Sequence, residues 1–138
     1  MKTFLDLISS SLSKLGPKLK VVALIDPATE RAAAVLRAKC ESFVKCAYEN
    51  TRICKNLDEF INTMTEDEYP RAVVIGSPPM FRGSSLSGRD IELQLLKKFH
   101  DIALFVEKPV ATAPFDELKY SFEVAKAIET HGNICSVG

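Results

Sequence analysis

The stretch VVALIDPATERAAAVLRAK, residues 21–39, decides the fold class, because a short apolar run passes directly into a longer segment with helical period. Its first five residues, VVALI, predict a fully buried strand, which Asp26-Pro27 ends. The following residues predict a helix that points Ala32, Val35 and Leu36 inward. A strand that leads into a helix is typical of βαβ units and hence of parallel sheets.

The same alternation continues along the chain. Further strands are predicted at residues 43–48 (the weakest candidate), 72–76, 102–106 and 133–137. Helices are predicted at residues 5–15, 57–64, 91–99 and 118–128. Asn56 is expected to cap one helix, Gly132 to end the last, and that last helix to carry the stripe Leu118, Phe122, Ala125 and Ile128. We expect one α/β domain, residues 1–138, with a doubly wound parallel sheet and helices on both faces.

Composition and charge exclude several classes of protein. Hydrophobic residues make up 46% of the 138 residues and charged residues 26%, which predicts a globular chain with a buried core. The 18 basic residues balance the 18 acidic ones, so the basic face that nucleic-acid binding needs is missing. Asp6 and a serine cluster interrupt the first apolar run, and no later run approaches a membrane span. We expect a cytoplasmic protein with no nucleic-acid or membrane partner.

Cysteine and histidine spacing argues against a metal site. The cysteines are Cys40, Cys46, Cys54 and Cys135, and they form no C-x-x-C pair. His100 and His131 stand far from the first three of them. We therefore predict reduced thiols and no bound metal. The patterns of phosphate-loop NTPases and of serine hydrolases are also missing from the sequence.

Polar and proline residues follow three of the predicted strands, at the ends where parallel sheets bind ligands. They are Asp26, Ser77, Pro78, Pro79, Glu107, Lys108 and Pro109. Asp26 can accept hydrogen bonds from the two hydroxyls of an adenosine ribose, which favours NAD over a 2′-phosphorylated cofactor, or it can be an ordinary helix cap. Arg31, one turn later, can offset that preference by reaching a phosphate, or it can be solvated surface.

The other two strand ends have alternative interpretations as well. Ser77-Pro78-Pro79 is a stiff loop, which can present a flat wall to a planar ligand or serve only as a rigid strand exit. Lys108 can donate or accept a proton if partial burial lowers its pKa, with Glu107 orienting it. The structural alternative is an exposed salt bridge between Glu107 and Lys108.

In order, the segments VVALIDPATERA, LDEFI, AVVIGSPPMFRG, ALFVEKPVAT and SVG resemble the nucleotide-binding half of the glucose-fructose oxidoreductase and inositol dehydrogenase family, Gfo/Idh/MocA. The resemblance covers residues 4–138, and EKP after an apolar strand is its most specific element. It implies a Rossmann fold that binds NAD or NADP. It also implies hydride transfer between a sugar or polyol-like hydroxyl and nicotinamide.

The resemblance also implies a role for each candidate residue. Asp26 would hold the adenosine ribose, and Ser77, Pro78 and Pro79 would border the cofactor. Glu107 and Lys108 would lie beside the nicotinamide, and Lys108 would contact the hydroxyl being oxidised.

Two departures from the family pattern bear on function. The family opens with a strand and a Gly-x-Gly-x-x-Gly-type turn, whereas the first glycine here is Gly16, at the end of the first predicted helix. Without that strand, the strands from residues 21 and 72 must pair directly, leave a gap or recruit another strand, and an exposed gap predicts self-association. The missing glycines would impair contact with the cofactor's pyrophosphate.

At the other end, the chain stops at Gly138, before the family's substrate domain and its usual catalytic histidine, and neither His100 nor His131 matches that histidine. We therefore expect a fragment with little activity alone, which would meet a sugar-like substrate only if a second domain were present.

Two other classes of function remain as alternatives. The first is a non-catalytic remnant or interaction module that has lost cofactor binding. A receiver-type signalling domain also has Lys-Pro after its fifth strand, but it needs a phosphorylatable aspartate at a central strand end. The strand from residue 72 ends in Gly76-Ser77-Pro78 instead, and Asp26 has no acidic neighbour in sequence.

Overall fold

The structure is a computed structural model that describes residues 19–138. The helix predicted at residues 5–15 therefore lies outside the described residues. The chain forms two compact units, Met1–Tyr69 and Pro70–Gly138, and each has a parallel sheet of its own.

The first unit is built on a two-stranded sheet. Strand β1 (Ala23–Ile25) pairs in parallel with β2 (Arg52–Cys54). Its helices are α1 (Thr29–Cys40), α2 (Lys45–Tyr48) and α3 (Leu57–Thr63). A buried cluster of Val44, Ala47 and Tyr48 packs against four partly buried residues, Leu19, Val21, Leu36 and Cys40. The short helix α2 therefore supplies the centre of this cluster.

The second unit contains a three-stranded parallel sheet. Its strands β3 (Ala72–Ile75), β4 (Ala103–Val106) and β5 (Cys135–Val137) lie in the order β3-β4-β5. Its helices are α4 (Ile91–Lys98) and α5 (Leu118–His131), and a 3₁₀ turn, Pro79–Phe81, follows β3. The buried apolar residues of this unit are Ile75, Leu95, Leu96, Phe99, Ile102, Leu104, Val106 and Val124.

Parallel strands alternating with helices confirm the predicted α/β, Rossmann-like fold class. Both predicted helix boundaries are also confirmed. The side chain of Asn56 accepts a hydrogen bond from the Glu59 N–H at 2.8 Å and caps α3. Gly132 ends α5 in the left-handed conformation, at φ 69°.

The weak strand predicted at residues 43–48 was wrong. Residues 45–48 form helix α2, and the strand of this region is β2, a few residues later. The spacing of Val44, Ala47 and Tyr48 is i, i+3, i+4, which buries all three on one side of a helical turn. Packing of that side outweighs the β propensity of the local sequence.

Two predictions of burial were also wrong. The strand at residues 21–25 is only partly buried, and Ile25 is 42% exposed, because β1 lies at the edge of a two-stranded sheet. On α5, Phe122 is 72% exposed, whereas Val124 is buried. Among the described residues, the strands that begin near residues 21 and 72 belong to separate sheets.

Candidate functional site

Asp26 lies directly after β1, and its backbone continues the parallel ladder. Its N–H donates to the Cys54 carbonyl at 3.0 Å. Its carboxylate accepts a hydrogen bond from the Ala28 N–H at 2.8 Å and one from the Arg31 guanidinium, at 2.8 Å to Oδ2. Asp26 therefore forms a local turn ahead of α1. It is not the N-cap residue of that helix, which is Ala28.

Arg31 stabilises the ionised form of Asp26, which an ordinary aspartate already adopts at neutral pH. The hydrogen bond from Arg31 lowers the pKa of Asp26 most, and the Ala28 N–H adds to this, against a smaller opposing effect of burial. The carboxylate is therefore ionised at neutral pH. The Arg31 side chain is 71% exposed, so it can rotate away from Asp26 without leaving a buried cavity. A ligand can therefore bind either to the Asp26 carboxylate, as a hydrogen-bond acceptor, or to the Arg31 guanidinium.

In the second unit, parallel pairing brings two predicted loops to the same end of one sheet. The Glu107 N–H donates to the Ile75 carbonyl at 3.0 Å, and the Lys108 N–H donates to the Gly138 carbonyl at 2.8 Å. The Glu107 carboxylate lies above Gly76, with Oε2 3.6 Å from where a β-carbon on that glycine would stand. The Ser77-Pro78-Pro79 loop and the Glu107-Lys108 pair are therefore adjacent.

Three of the predicted site residues at this sheet end, Ser77, Glu107 and Lys108, have side chains without a partner within the described chain. Glu107 and Lys108 are exposed, and among residues 19–138 no ion pair joins them, so the salt-bridge alternative is not what the structure contains. The buried Ser77 hydroxyl likewise has no hydrogen-bond partner in the part of the chain that the structure describes. An unsatisfied buried hydroxyl beside two exposed charges fits a site that completes its hydrogen bonds with a polar ligand.

Arg82 is the residue of this region that the sequence analysis missed. Its side chain is 2% exposed, and it donates to three backbone carbonyls. Nε reaches Ser77 at 2.5 Å, Nη2 reaches Glu107 at 2.6 Å, and Nη1 reaches Val110 at 3.0 Å. The same guanidinium thus joins the loop after β3 to the loop after β4. An arginine in a Gly/Ser-rich segment gives no sequence signal of burial.

Arg82 is anchored to α4 through its neighbour in sequence. The Gly83 N–H donates to both carboxylate oxygens of Glu92, at 3.1 and 3.0 Å. Glu92 is 1% exposed. Burial is the largest effect and raises the pKa of Glu92, although the hydrogen bond from Gly83 and the charge of Arg82 oppose it. A β-carbon on Gly83 would lie 2.3 Å from the Val110 carbonyl oxygen, so no other residue fits without displacement.

Residues 19–138 contain neither a metal-binding cluster nor a membrane-spanning helix. That part of the chain contains no cluster of three or more histidine, cysteine or acidic side chains suited to a metal ion. It also contains no helix with the length and apolar character that crossing a bilayer requires. All four cysteines are free thiols; Cys54 is buried, and Cys46 and Cys135 are exposed.

A Rossmann-like fold with polar residues at the carboxyl ends of its strands defines a nucleotide-binding class of protein. The family model described as an oxidoreductase family with an NAD-binding Rossmann fold, Gfo/Idh/MocA, matches residues 8–138. The chain therefore belongs to this family, as its motifs predicted.

The chain is also similar to two uncharacterized proteins of Schizosaccharomyces pombe. One is 37% identical over 126 residues, which cover 90% of this chain and 32% of that protein. The other is 38% identical over 126 residues, which cover 90% of this chain and 30% of that protein. The chain thus spans about a third of the length of these relatives. No solved structure matches it.

Proposed function

We propose that this chain is the cofactor-binding part of an oxidoreductase that transfers hydride between a sugar or polyol-like hydroxyl and a nicotinamide dinucleotide. Its membership of an NAD-binding family supports the cofactor class. The observation that carries the assignment to particular residues is the end of the β3-β4 sheet. There the Ser77 hydroxyl lacks a partner, and the exposed Glu107 and Lys108 side chains form no ion pair within the described residues.

In this proposal each residue has a distinct role. Asp26 accepts hydrogen bonds from the adenosine ribose, while Ser77, Pro78 and Pro79 form a rigid border to the cofactor. Glu107 and Lys108 lie at the nicotinamide end, where Lys108 holds the substrate hydroxyl and moves its proton. The nicotinamide itself supplies the hydride acceptor or donor.

We propose NAD as the preferred cofactor. The Asp26 carboxylate can accept hydrogen bonds from ribose hydroxyls, and its negative charge would repel a 2′-phosphate. Arg31 is the residue that would accept NADP, because it is mostly exposed and can turn toward a phosphate.

The test is a titration of the purified chain with NADH, and with NADPH for comparison. NADH is expected to bind, and Asp26→Ala is expected to weaken it about tenfold, the loss typical of one charged hydrogen-bonding group. Asp58→Ala is the matched control, because Asp58 is an exposed aspartate in the first turn of α3. A folded chain that binds neither cofactor at millimolar concentration contradicts the proposal.

A second candidate function is an interaction module without cofactor binding. It is favoured by apolar side chains that the second unit leaves exposed: Phe115 is 90% exposed and Phe122 is 72% exposed. The same titration separates the two candidates, because a module of this kind would show no response to NADH.

The activity, substrate and partners of the whole protein are part of the proposal, since the chain spans about a third of its relatives' length. A sugar-like substrate and a cytoplasmic location stay predictions from the sequence.

A further inference from the structure

A buried arginine connects the loop that borders the cofactor in the proposed function to the loop assigned to its nicotinamide end. The Arg82 guanidinium donates to the carbonyls of Ser77 and Glu107, which follow neighbouring strands. It also donates to Val110, farther along the second loop. These three bonds fix the separation between the two loops, because a guanidinium is planar and its donors have fixed directions.

Packing between the loops after β3 and β4 does not by itself require an arginine at position 82. A buried cation loses its hydration, and an apolar side chain of similar volume would fill the same space at lower cost. The three acceptors of Arg82 are neutral carbonyls. The charge of Arg82 acts on Glu92, but the two form no ion pair within the described residues. The arrangement is therefore better suited to fixing geometry than to adding stability.

The root of the Arg82 side chain is fixed as well. Glu92 on α4 accepts the Gly83 N–H with both oxygens, and Gly83 has φ +72° with no room for a β-carbon beside Val110. Backbone and guanidinium are thus held independently, one by a helix and the other by the two loops. Because Arg82 is held both at its backbone and at its guanidinium, a movement of α4 would move the Ser77 and Glu107 backbones as well.

We infer that Arg82 is a positioning residue for the nicotinamide end of the cofactor, setting the separation between the Ser77-Pro78-Pro79 loop and the Glu107-Lys108 pair. The inference rests on the proposed function. It adds that α4, through Glu92 and Gly83, takes part in shaping the site, although no residue of α4 is assigned to the cofactor.

The test compares NADH with ADP-ribose, which lacks the nicotinamide, on the full chain. Arg82→Lys is expected to weaken NADH binding about tenfold, because an ammonium group cannot span three carbonyls, and to leave ADP-ribose binding unchanged. The shift in NADH emission on binding should also shrink. The chain contains no tryptophan, so this emission is read without interference from tryptophan. Arg71→Lys, an exposed arginine of the same unit, is the matched control.

The outcomes separate a positioning role from a structural one. If Arg82→Lys weakens the binding of NADH and ADP-ribose equally, the role of Arg82 is purely structural. If it weakens neither, Arg82 has no role in binding. Either outcome overturns the inference and leaves the proposed function standing. Wild-type chain that binds neither ligand overturns the proposed function, and the inference with it. If Arg82→Lys does not fold, Glu92→Gln supplies the same comparison, with an expected loss for NADH of about threefold and none for ADP-ribose.

Discussion

The ion pair with Arg31 shifts the acid titration of Asp26, the first proposed site residue. The ordinary aspartate pKa is 3.8, and the hydrogen bond from Arg31 is the largest cause that lowers it in the folded chain. A lowered folded-state pKa stabilises the folded chain fully above the unfolded value. That contribution is lost as the pH falls through the lowered value.

Arg31→Ala is therefore expected to raise the pKa of Asp26 toward 3.8 and to shift the loss of stability to higher pH. Carboxyl-carbon NMR titration measures the first effect, and acid unfolding measures the second. Arg37→Ala is the control, because Arg37 is exposed on the same helix. An unchanged Asp26 titration in Arg31→Ala would show that the ion pair does not persist in solution.

Tyr48 gives a prediction at the opposite end of the pH scale. Its side chain is fully buried, its hydroxyl has no partner among the described residues, and burial raises its pKa from 10.0 to about 12. A raised folded-state pKa means that the unfolded chain ionises first. Stability is then lost as the pH rises from 10.0 toward about 12.

Tyr48→Phe removes both the unsatisfied hydroxyl and this ionisation. Its stability at neutral pH should be equal to the wild type or up to about 1 kcal/mol higher, and its alkaline unfolding should be delayed. Circular dichroism against pH checks both, with Tyr120→Phe, a change at a partly buried tyrosine of the other unit, as control. A Tyr48→Phe chain that is clearly less stable would mean that the hydroxyl has a partner in solution.

At the scale of elements, the loop after β3 depends on a glycine for two separate reasons. Gly83 has φ +72°, and a β-carbon there would also lie 2.3 Å from the Val110 carbonyl oxygen. Gly88, in the same loop, has φ +82° but nothing within 4 Å of its β-carbon position. The two glycines therefore share the backbone cost of substitution and differ only in the collision.

Gly83→Ala should consequently destabilise the chain more than Gly88→Ala. The strained backbone costs about 1–2 kcal/mol at either position, and the collision at Gly83 should add about 1–3 kcal/mol. Urea unfolding of the two variants measures the difference directly. Equal losses would indicate that the Val110 loop moves aside freely, and with it one of the three acceptors of Arg82.

The elements that the sequence predicted well are those with a strong local pattern. Strands β3 and β4 are continuous apolar runs, and the cap of α3 is a single asparagine at the right distance from Glu59. The failures occurred where the pattern is short or depends on packing. Strand β2 is three residues long and contains Arg52, so alternation could not reveal it.

The residues of the candidate site also divide into those with a local sequence pattern and those without one. Asp26, Ser77 and Glu107 could be proposed from the sequence because they follow apolar runs, and the carboxyl ends of parallel strands are where such sheets bind ligands. Arg82, Gly83 and Glu92 were missed because their roles depend on contacts between segments distant in sequence. A local pattern cannot show that an arginine in a polar loop is buried against carbonyls 5 and 25 residues away.

At the scale of the whole molecule, the open edges of the sheets decide how the chain behaves in solution. Even-numbered positions of β1 bond to β2, as the Asp26 N–H and the Val22 carbonyl show. Ala23 and Ile25 therefore direct their backbone groups toward the other edge, which no strand of the described residues pairs. Unpaired strand edges recruit strands from other molecules.

We therefore predict that the purified chain self-associates as its concentration rises, and that light scattering after size-exclusion chromatography will show a growing mass. Ile25→Lys should return it to the monomer, because a lysine on an edge strand opposes pairing and Ile25 is 42% exposed, which lets the charge reach water. Phe43→Lys, which also replaces an exposed apolar residue but lies outside the strands, should leave association in place. A monomeric wild type at every concentration would contradict the prediction. Loss of association in Phe43→Lys alone would instead assign it to that exposed side chain, because the strand edge would still be intact.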